Sequence, residues 1–398
     1  MTTRSVVMCL LGSRREIEAI ANSRWALPVG LLFVFSGGVA RYYDNAYLPA
    51  EWHVLLRGIG VTLINSFVLF GLACVFAAKA DVWKQWGKRY LAFLGLFWIS
   101  APMAWLYGIP YEQFLSPVDA VRANAWTLSI VSAWRVLFAA RILSNLLGVS
   151  FAAMVFPVLF FSNAAVLVAT SLMPRPLFDL MGGMQLTEVE REIANRAIET
   201  QAVATIAIIP LALAMLLAAA LARRTGAMAI VQTSTMPKGA LVFAGSALVI
   251  WINPARAMLP EQERRYRAES ALRGGRIEEG LRELSRHVRA DYPPAWEPPP
   301  VLLYQEKNPS MASIREAIRQ KPPAPWVLDL YAQKSLRELG MSMHLYGQRI
   351  EFERLPVELE TEANVRALRF HLDFDRSLSS AERRALGDAV ERITRNRK

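Results

Sequence analysis

The sequence predicts an all-α polytopic membrane domain of about seven transmembrane helices, followed by a soluble α+β domain. Three observations predict it. Mean hydropathy is positive at +0.24 although 20% of the 398 residues are charged, so the apolar residues must be concentrated in one part of the chain. The acids are segregated to match: 12 of the 34 fall in residues 1–256 and 22 in residues 257–398. Within the first part, apolar stretches approach or exceed the roughly 20 residues that cross about 30 Å of hydrocarbon.

Residues 1–24 form an N-terminal segment. The apolar run Val6–Leu11 is short for a signal peptide, and Arg14, Arg15 and Glu16 stand where a small-residue cleavage site would be. Residues 5–21 are read instead as an interfacial helix. Spans are expected at about 25–40, 58–78, 90–111, 123–141, 148–173, 201–222 and 239–253. Gly58–Ala78 and Tyr90–Tyr111 carry no charged residue, and Arg223 and Arg224 close the sixth span. The first span is short, but Arg24 and Arg41 can snorkel at its ends. The run from Ala123 to Pro174 is too long for one crossing and predicts two helices that turn near Asn145–Gly148. Ser116-Pro117 supplies a cap and an N1 proline before the fourth span, and Thr187 with Glu190 supplies a capping box before the sixth. The helix starting there is expected to run on into the sixth span as a rod of about 50 Å. The last candidate, 239–253, is the shortest, and a segment that only dips into the membrane stays open for it.

Net charge is +11. Residues 1–256 hold 20 Lys and Arg against 12 acids, net +8, and residues 257–398 hold 25 against 22, net +3. A nucleic-acid binder carries its excess on a soluble face; here most of it lies between apolar segments, where it orients a membrane protein. Nucleic-acid binding is therefore excluded. With seven spans and a cytoplasmic N-terminus, twelve Lys and Arg fall on the cytoplasmic side and seven on the other, which places the C-terminal domain on the extracytoplasmic side. Two cysteines, Cys9 and Cys74, rule out a disulfide framework.

Beyond residue 257 the pattern changes. Ile277, Leu281, Leu284 and Val288 make one helical stripe, and Gly274-Gly275 breaks it from a preceding helix. This hairpin, residues 257–290, resembles one tetratricopeptide-type unit without that repeat's full signature. Proline-rich connectors with a short helix follow over 291–325. Residues 326–398 predict an α+β subdomain: a helix at about 326–339, strands through Met341, Met343 and Leu345 and through Ile350 and Phe352, the alternating strand Leu368–Phe374, and a final helix capped by Ser379 and Glu382. Residues 257–398 carry enough patterned apolar positions to fold without the spans.

Candidate chemistry is sparse. His53, His287, His344 and His371 all lie outside the spans, and there is no HExxH, GxSxG, Walker A or dinucleotide-binding glycine motif. No catalytic, cofactor-binding or metal-ligating residue is assigned, and no cofactor is expected. Arg135 is the one charged residue well inside a span, where a charge marks a functional site by default; the competing and favoured reading is that it snorkels toward Arg141. Asp44, Glu51 and His53 cluster in the loops of the opposite face and have metal-binding chemistry without metal-motif spacing, so loop ion pairs such as Arg41–Asp44 or Asp119–Arg122 are favoured there. His371, Asp373 and Asp375 share the polar face of the strongest predicted strand, where a solvated face is favoured over a divalent-metal set.

The strings Ala40-Arg41-Tyr42-Tyr43-Asp44, Glu51-Trp52-His53 and Leu115–Asn124 resemble those of a family of bacterial multi-span membrane proteins, over most of residues 25–290. The resemblance implies a bacterial inner-membrane location and carries no activity, so no site is transferred. Three functional readings stay open. The first is a non-enzymatic membrane-anchored interaction or sensory protein that meets the lipid bilayer through its helices and another protein through residues 257–398. The second is a small-solute transporter or channel with Arg135 in its pathway. The third is a membrane enzyme using the outer Asp/Glu/His cluster.

Overall fold

The computed structural model describes residues 2–44, 46–77, 83, 85–172, 188–223, 226–231, 233–293, 296–300 and 309–346, with positions 384, 387, 388 and 391. The chain divides into two compact units, one of Met1–Met173 with Glu188–Gln262, the other of Pro174–Thr187 with Glu263–Lys398. The described residues form the helices α1 (Thr3–Leu10), α2 (Arg14–Ala21), α3 (Ala26–Tyr42), α4 (Leu48–Glu51), α5 (His53–Ala77), α6 (Trp86–Ile99), α7 (Pro117–Leu147), α8 (Phe151–Leu172), α9 (Glu188–Leu221), α10 (Lys238–Arg273), α11 (Ile277–Ser285), α12 (Met311–Gln320) and α13 (Pro325–Tyr346). Tight 3-10 turns cover Ala101–Gly108, Tyr111–Gln113 and Arg289–Asp291.

Among the described residues six helical stretches are long and apolar enough to cross a membrane: α5, α6 with its 3-10 extension, α7, α8, α9 from Arg191, and α10. The protein is a membrane protein whose apolar helices suit a lipid bilayer. The segment 239–253, shortest in the sequence, lies within the 36 residues of α10, whereas α3 has 17 residues and falls below spanning length by that measure. Even so, α3 runs between the same two ends as the long helices. At its start Arg24 N–H donates to Thr233 O (3.3 Å), just ahead of α10, and at its finish the Tyr43 hydroxyl donates to Gly108 O (3.1 Å).

The most buried stretch is α6 with its extension, 61% of whose apolar window is covered, against 6% for α9. Phe93, Leu96 and Ile99 of α6 therefore fill the interior with Val29 and Phe33 of α3, Phe70 of α5 and Ile142, Leu143 and Leu146 of α7. On α9, Ile206, Ile209, Leu213 and Leu216 stay exposed as a lipid-facing stripe. Between apolar helices in lipid there is little hydrophobic gain, so close association depends on small residues that let backbones approach. The seam between α3 and α6 has this form. A Cβ on Gly30 would sit 2.7 Å from Trp98 Cβ, and one on Gly95 would sit 2.9 Å from Ala26 Cβ.

Several boundaries differ from the sequence reading for identifiable reasons. The N-terminal helix expected over 5–21 is two helices, because Gly12 takes a left-handed φ of 83° between them. They bury Val6, Cys9, Ile17 and Ile20 in the bundle core and leave Val7, Met8 and Leu11 exposed. The span at 90–111 is α-helical only to Ile99; Pro102 has no N–H to continue the ladder, and the chain tightens into a 3-10 segment. The expected turn near Asn145–Gly148 is present, with Gly148 as a left-handed C-cap at φ 62°. Ser116 caps α7 as expected, its Oγ accepting from Asp119 N–H at 3.2 Å. The rod also forms: α9 has 34 residues, about 51 Å at 1.5 Å per residue, with Pro210 inside it.

The α+β reading of the second unit is not supported: the described residues contain no sheet, only an isolated bridge between Ser23 and Thr233 in the first unit. The predicted strand through Met341, Met343 and Leu345 is instead the end of α13. Three alternating positions are a weak signal, and here they follow directly on a run of good helix formers. The strands at 350–352 and 368–374 fall outside the described residues, as does most of the final helix, of which Arg384, Gly387, Asp388 and Glu391 are described and helical. The core of this unit is helical: Ala268 and Leu272 from the end of α10, Leu281 and Leu284 of α11, Ile314 and Ile318 of α12, and Val327 and Tyr331 of α13. Gly275, at φ 78°, makes the turn between α10 and α11, and Gly280 admits Leu272, whose Cγ would lie 2.5 Å from an added Cβ.

The α3–α6 seam gives a direct test. Gly95→Leu overpacks it and should destabilise the protein in detergent by roughly 1–3 kcal/mol. Gly71→Ala adds a Cβ with nothing within 4 Å and should leave the melting midpoint unchanged or slightly raised. Equal midpoints for the two variants would show that this contact does not hold the bundle together.

Candidate functional site

Polar groups inside the first unit are mostly satisfied locally. The Ser36, Thr62, Ser66 and Ser100 hydroxyls each donate to a carbonyl three residues back, at 2.5–2.9 Å. Two of them also tie helices together, since Trp105 Nε1–H donates to Ser36 Oγ (3.0 Å) and Trp98 Nε1–H to Thr62 Oγ1 (3.3 Å). Asn163 Nδ2 donates to Ala204 O at 2.8 Å, an interhelical bond between α8 and α9. Arg89, only 5% exposed, reaches the end of α7, where Nη1 donates to Leu146 O at 2.6 Å. A cation at a helix C-terminus meets both the orphan carbonyls and the negative end of the dipole.

Arg135 is different. It rises from the middle of α7 over the ring of Phe97, 5.6 Å from its centroid. Its Nε is sealed from solvent and has no hydrogen-bond partner. The titratable groups that act on it electrostatically are Tyr107 and Arg41. Both belong to the end of the bundle opposite Arg141, whose Nε donates to Gly12 O at 3.3 Å. Among the described residues the contact of the Arg135 guanidinium is with the Phe97 ring, and Arg141 is engaged separately by Gly12.

The loop residues of that end are engaged pairwise. Glu51 Oε2 accepts from Tyr47 N–H (2.9 Å) and so closes the turn before α4, while His53 is the exposed first residue of α5. Asp44 lies in the turn after α3. Arg122 bonds Glu192 at 3.1 Å and, more loosely, Asp119 at 3.5 Å, and Asn124 donates to Glu112 at 3.0 Å. No group of three or more His, Cys, Asp or Glu side chains able to hold a metal ion occurs among the described residues. His371, Asp373 and Asp375 lie outside them. Cys9 and Cys74 are fully buried. Burial, with Glu16 nearby, pushes the Cys9 thiol up to about 12, which removes its thiolate near neutrality.

In the second unit the structure assembles a feature that sequence inspection missed. A proline supplies an acceptor and no donor, and the carbonyls of three consecutive prolines are taken by one helix. Tyr331 of α13 donates to Pro299 O at 2.8 Å. Lys334, one turn on and only 3% exposed, donates to Pro298 O and to Pro300 O (2.8 Å) and pairs with Glu297 at 3.4 Å. Burial raises the Tyr331 phenol well above its ordinary value, so it stays a neutral donor. Just upstream, Arg289 donates to the carbonyls of Tyr292, Pro293 and Trp296, and Tyr292 stacks on Trp296 at 4.8 Å. The first part of the stretch expected to be a connector is therefore clasped at Tyr292, Pro293 and Trp296–Pro300. Its only sequence signal is the i, i+3 spacing of Tyr331 and Lys334 on one helix face, some 30 residues downstream.

Replacing Lys334 by Met should leave two buried carbonyls unpaired and cost the second unit about 1–3 kcal/mol. Limited proteolysis of the intact protein should then cut faster between Arg289 and Pro300; an unchanged cleavage pattern would mean that the clasp is incidental.

Comparison of the sequence with models of known families, with curated proteins and with solved structures finds no match in any of the three, so the likeness of the loop strings to a bacterial membrane family adds nothing to the geometry.

Proposed function

We propose that this chain is a non-enzymatic membrane protein in which the helical bundle is an anchor and the second unit is an interaction or sensory module. The observation that carries this reading is the second unit's own core, closed by α11, α12 and α13 and by the clasped proline segment. A protein whose spans did all the work would have no need of a separately packed unit. The bundle interior, filled by Phe33, Phe70, Phe93 and Leu143, suits an anchor better than a solute pathway. In the second unit a cleft of about 120 Å³ opens between α11 and the segment leading into α13, with Arg282 and Lys321 among its lining residues. It is the natural place to look for a partner.

The test combines two measurements on the full chain. Photo-crosslinkers placed at Arg282 and at Lys321 in living cells should give one discrete protein adduct, lost on charge reversal of the other cleft residue. Proteoliposomes should show no solute uptake above empty vesicles. A transporter is the second reading, favoured by the unpartnered Arg135 within a span. Uptake abolished by Arg135→Ala, with no adduct from the cleft, would replace the first reading by the second.

We further propose a bacterial inner-membrane location, with the N-terminus cytoplasmic and α3 crossing along with the six longer helices. Seven crossings then put the second unit on the extracytoplasmic side. The support is the twelve-to-seven asymmetry of Lys and Arg, since Arg24, Arg89, Arg141, Arg223 and Lys238 all sit at the α1–α2 end of the bundle. Reporter fusions after Lys84 and Arg224 should report cytoplasm, and those after Asp119 and Lys398 the opposite side. A cytoplasmic signal after Asp119 would reverse the topology.

A further inference from the structure

The two short N-terminal helices use only one side of α1 for packing. Val6 and Cys9 of α1 are fully buried, and α2 adds Ile17 and Ile20 to the same core. On the other side Val7 and Met8 are 42% and 39% exposed, and Leu11, the C-cap, is 73% exposed. Positions 4, 7, 8 and 11 fall on one side of a helix, so the exposed Arg4 extends this apolar stripe by a cation. After the break at Gly12, the exposed Arg14 and Arg15 follow at its other end.

The position of α1 is fixed by two contacts. Thr3 Oγ1 donates to Gly239 O (3.3 Å) in the first turn of α10, and Gly12 O accepts from Arg141 Nε (3.3 Å) near the end of α7. The eight residues between them reach about 12 Å as a helix, so α1 lies across the end of the bundle from one span to another. At the ends of spanning helices hydrocarbon gives way to headgroups. Arg24 and Lys238, both exposed, belong to the same end.

Charge distinguishes what covers the stripe. Residues 1–24 carry four arginines against two glutamates, and Glu18 is already taken by Arg14 at 2.7 Å. A helix with cations flanking its apolar side buries that side at the boundary of headgroups and acyl chains, where the cations meet anionic phosphates. Three apolar side chains make a weak anchor by themselves; here the bundle already sets their depth, and what the arginines add is selection among lipids.

We propose that the outer face of α1, formed by Arg4, Val7, Met8 and Leu11 with Arg15 beside it, is a docking surface for anionic phospholipid. The apolar side chains lie among the upper acyl chains and the two arginines against the phosphates. The surface belongs to the bundle and is independent of the second unit and of any partner it binds.

The experiment places an environment-sensitive fluorophore on the full chain at Leu11→Cys, in phosphatidylcholine nanodiscs containing a fraction of either brominated phosphatidylglycerol or brominated phosphatidylcholine. Cys9 and Cys74 are buried and escape the label. Bromine quenches on contact, so the ratio of the two quenching efficiencies reports lipid preference. Leu213→Cys, on the lipid-facing stripe of α9, is the reference and should be quenched equally by both. At Leu11 phosphatidylglycerol should be favoured about fivefold or more, the weight of one cation near an anionic surface. Combining Arg4→Gln with Arg15→Gln should bring the ratio down to that of Leu213. Met8→Cys repeats the measurement should the first label disturb α1. A label that neither lipid quenches would show that water or protein covers the face. A preference equal to that at Leu213, or one unchanged in the arginine variants, would show that the charges select nothing. Each of these results overturns the proposal.

Discussion

Inside a hydrocarbon layer a polar group has no water to turn to, and each one left without a partner costs several kcal/mol. This constraint governs which residues the bundle tolerates and where it places them. The helices satisfy their own backbones, and the hydroxyls of Ser36, Thr62, Ser66 and Ser100 fold back onto carbonyls of the preceding turn. The tryptophans of the interior are admitted because those same hydroxyls accept their indole N–H groups. The Arg89 guanidinium is admitted because α7 ends beside it and exposes carbonyls that need donors. Arg135 stands apart because no such acceptor is offered to it, which is why it is the informative residue of the bundle.

The same constraint shapes the helix contacts. With lipid on one side and apolar side chains on the other, a Leu gains little by leaving lipid for a helix interface, so the closest approach falls where there is least side chain. Gly30 and Gly95 provide it between α3 and α6, and the larger residues around them, Phe33, Phe93 and Trp98, close over the seam. The short α3 is held at both ends as well, by Thr233 at one and by Gly108 at the other. Its length of about 26 Å is modest for a span, and its fixed ends compensate for that.

The second unit obeys a related rule in water. A run of prolines offers carbonyls and no N–H groups, so it cannot join a helix or a sheet ladder and must find donors elsewhere if it is to be buried. Tyr331 and Lys334 supply them from one face of α13, and Arg289 supplies more from the turn before. The clasp turns what reads as a spacer into part of the packed unit. It also explains why a lysine is buried there: its ammonium is fully used by three oxygens on Glu297, Pro298 and Pro300.

The sequence by itself determined the parts of this protein that depend on local composition. Runs of apolar residues specified the spans, Ser116-Pro117 and Gly148 specified the ends of α7, and Gly274-Gly275 specified the break after α10, because caps and left-handed turns act within a few residues. Where two local signals competed, the sequence was ambiguous. The alternation at Met341, Met343 and Leu345 suggested a strand, but a helix already running from Pro325 carried through it. What only the tertiary structure decided are the meetings between distant segments: Arg135 with Phe97, Lys334 with the prolines some 35 residues before it, Gly95 with Ala26. These meetings follow from which faces of the helices are turned toward each other. That choice is made by close packing among many side chains at once, and no periodicity in a single stretch of chain encodes it.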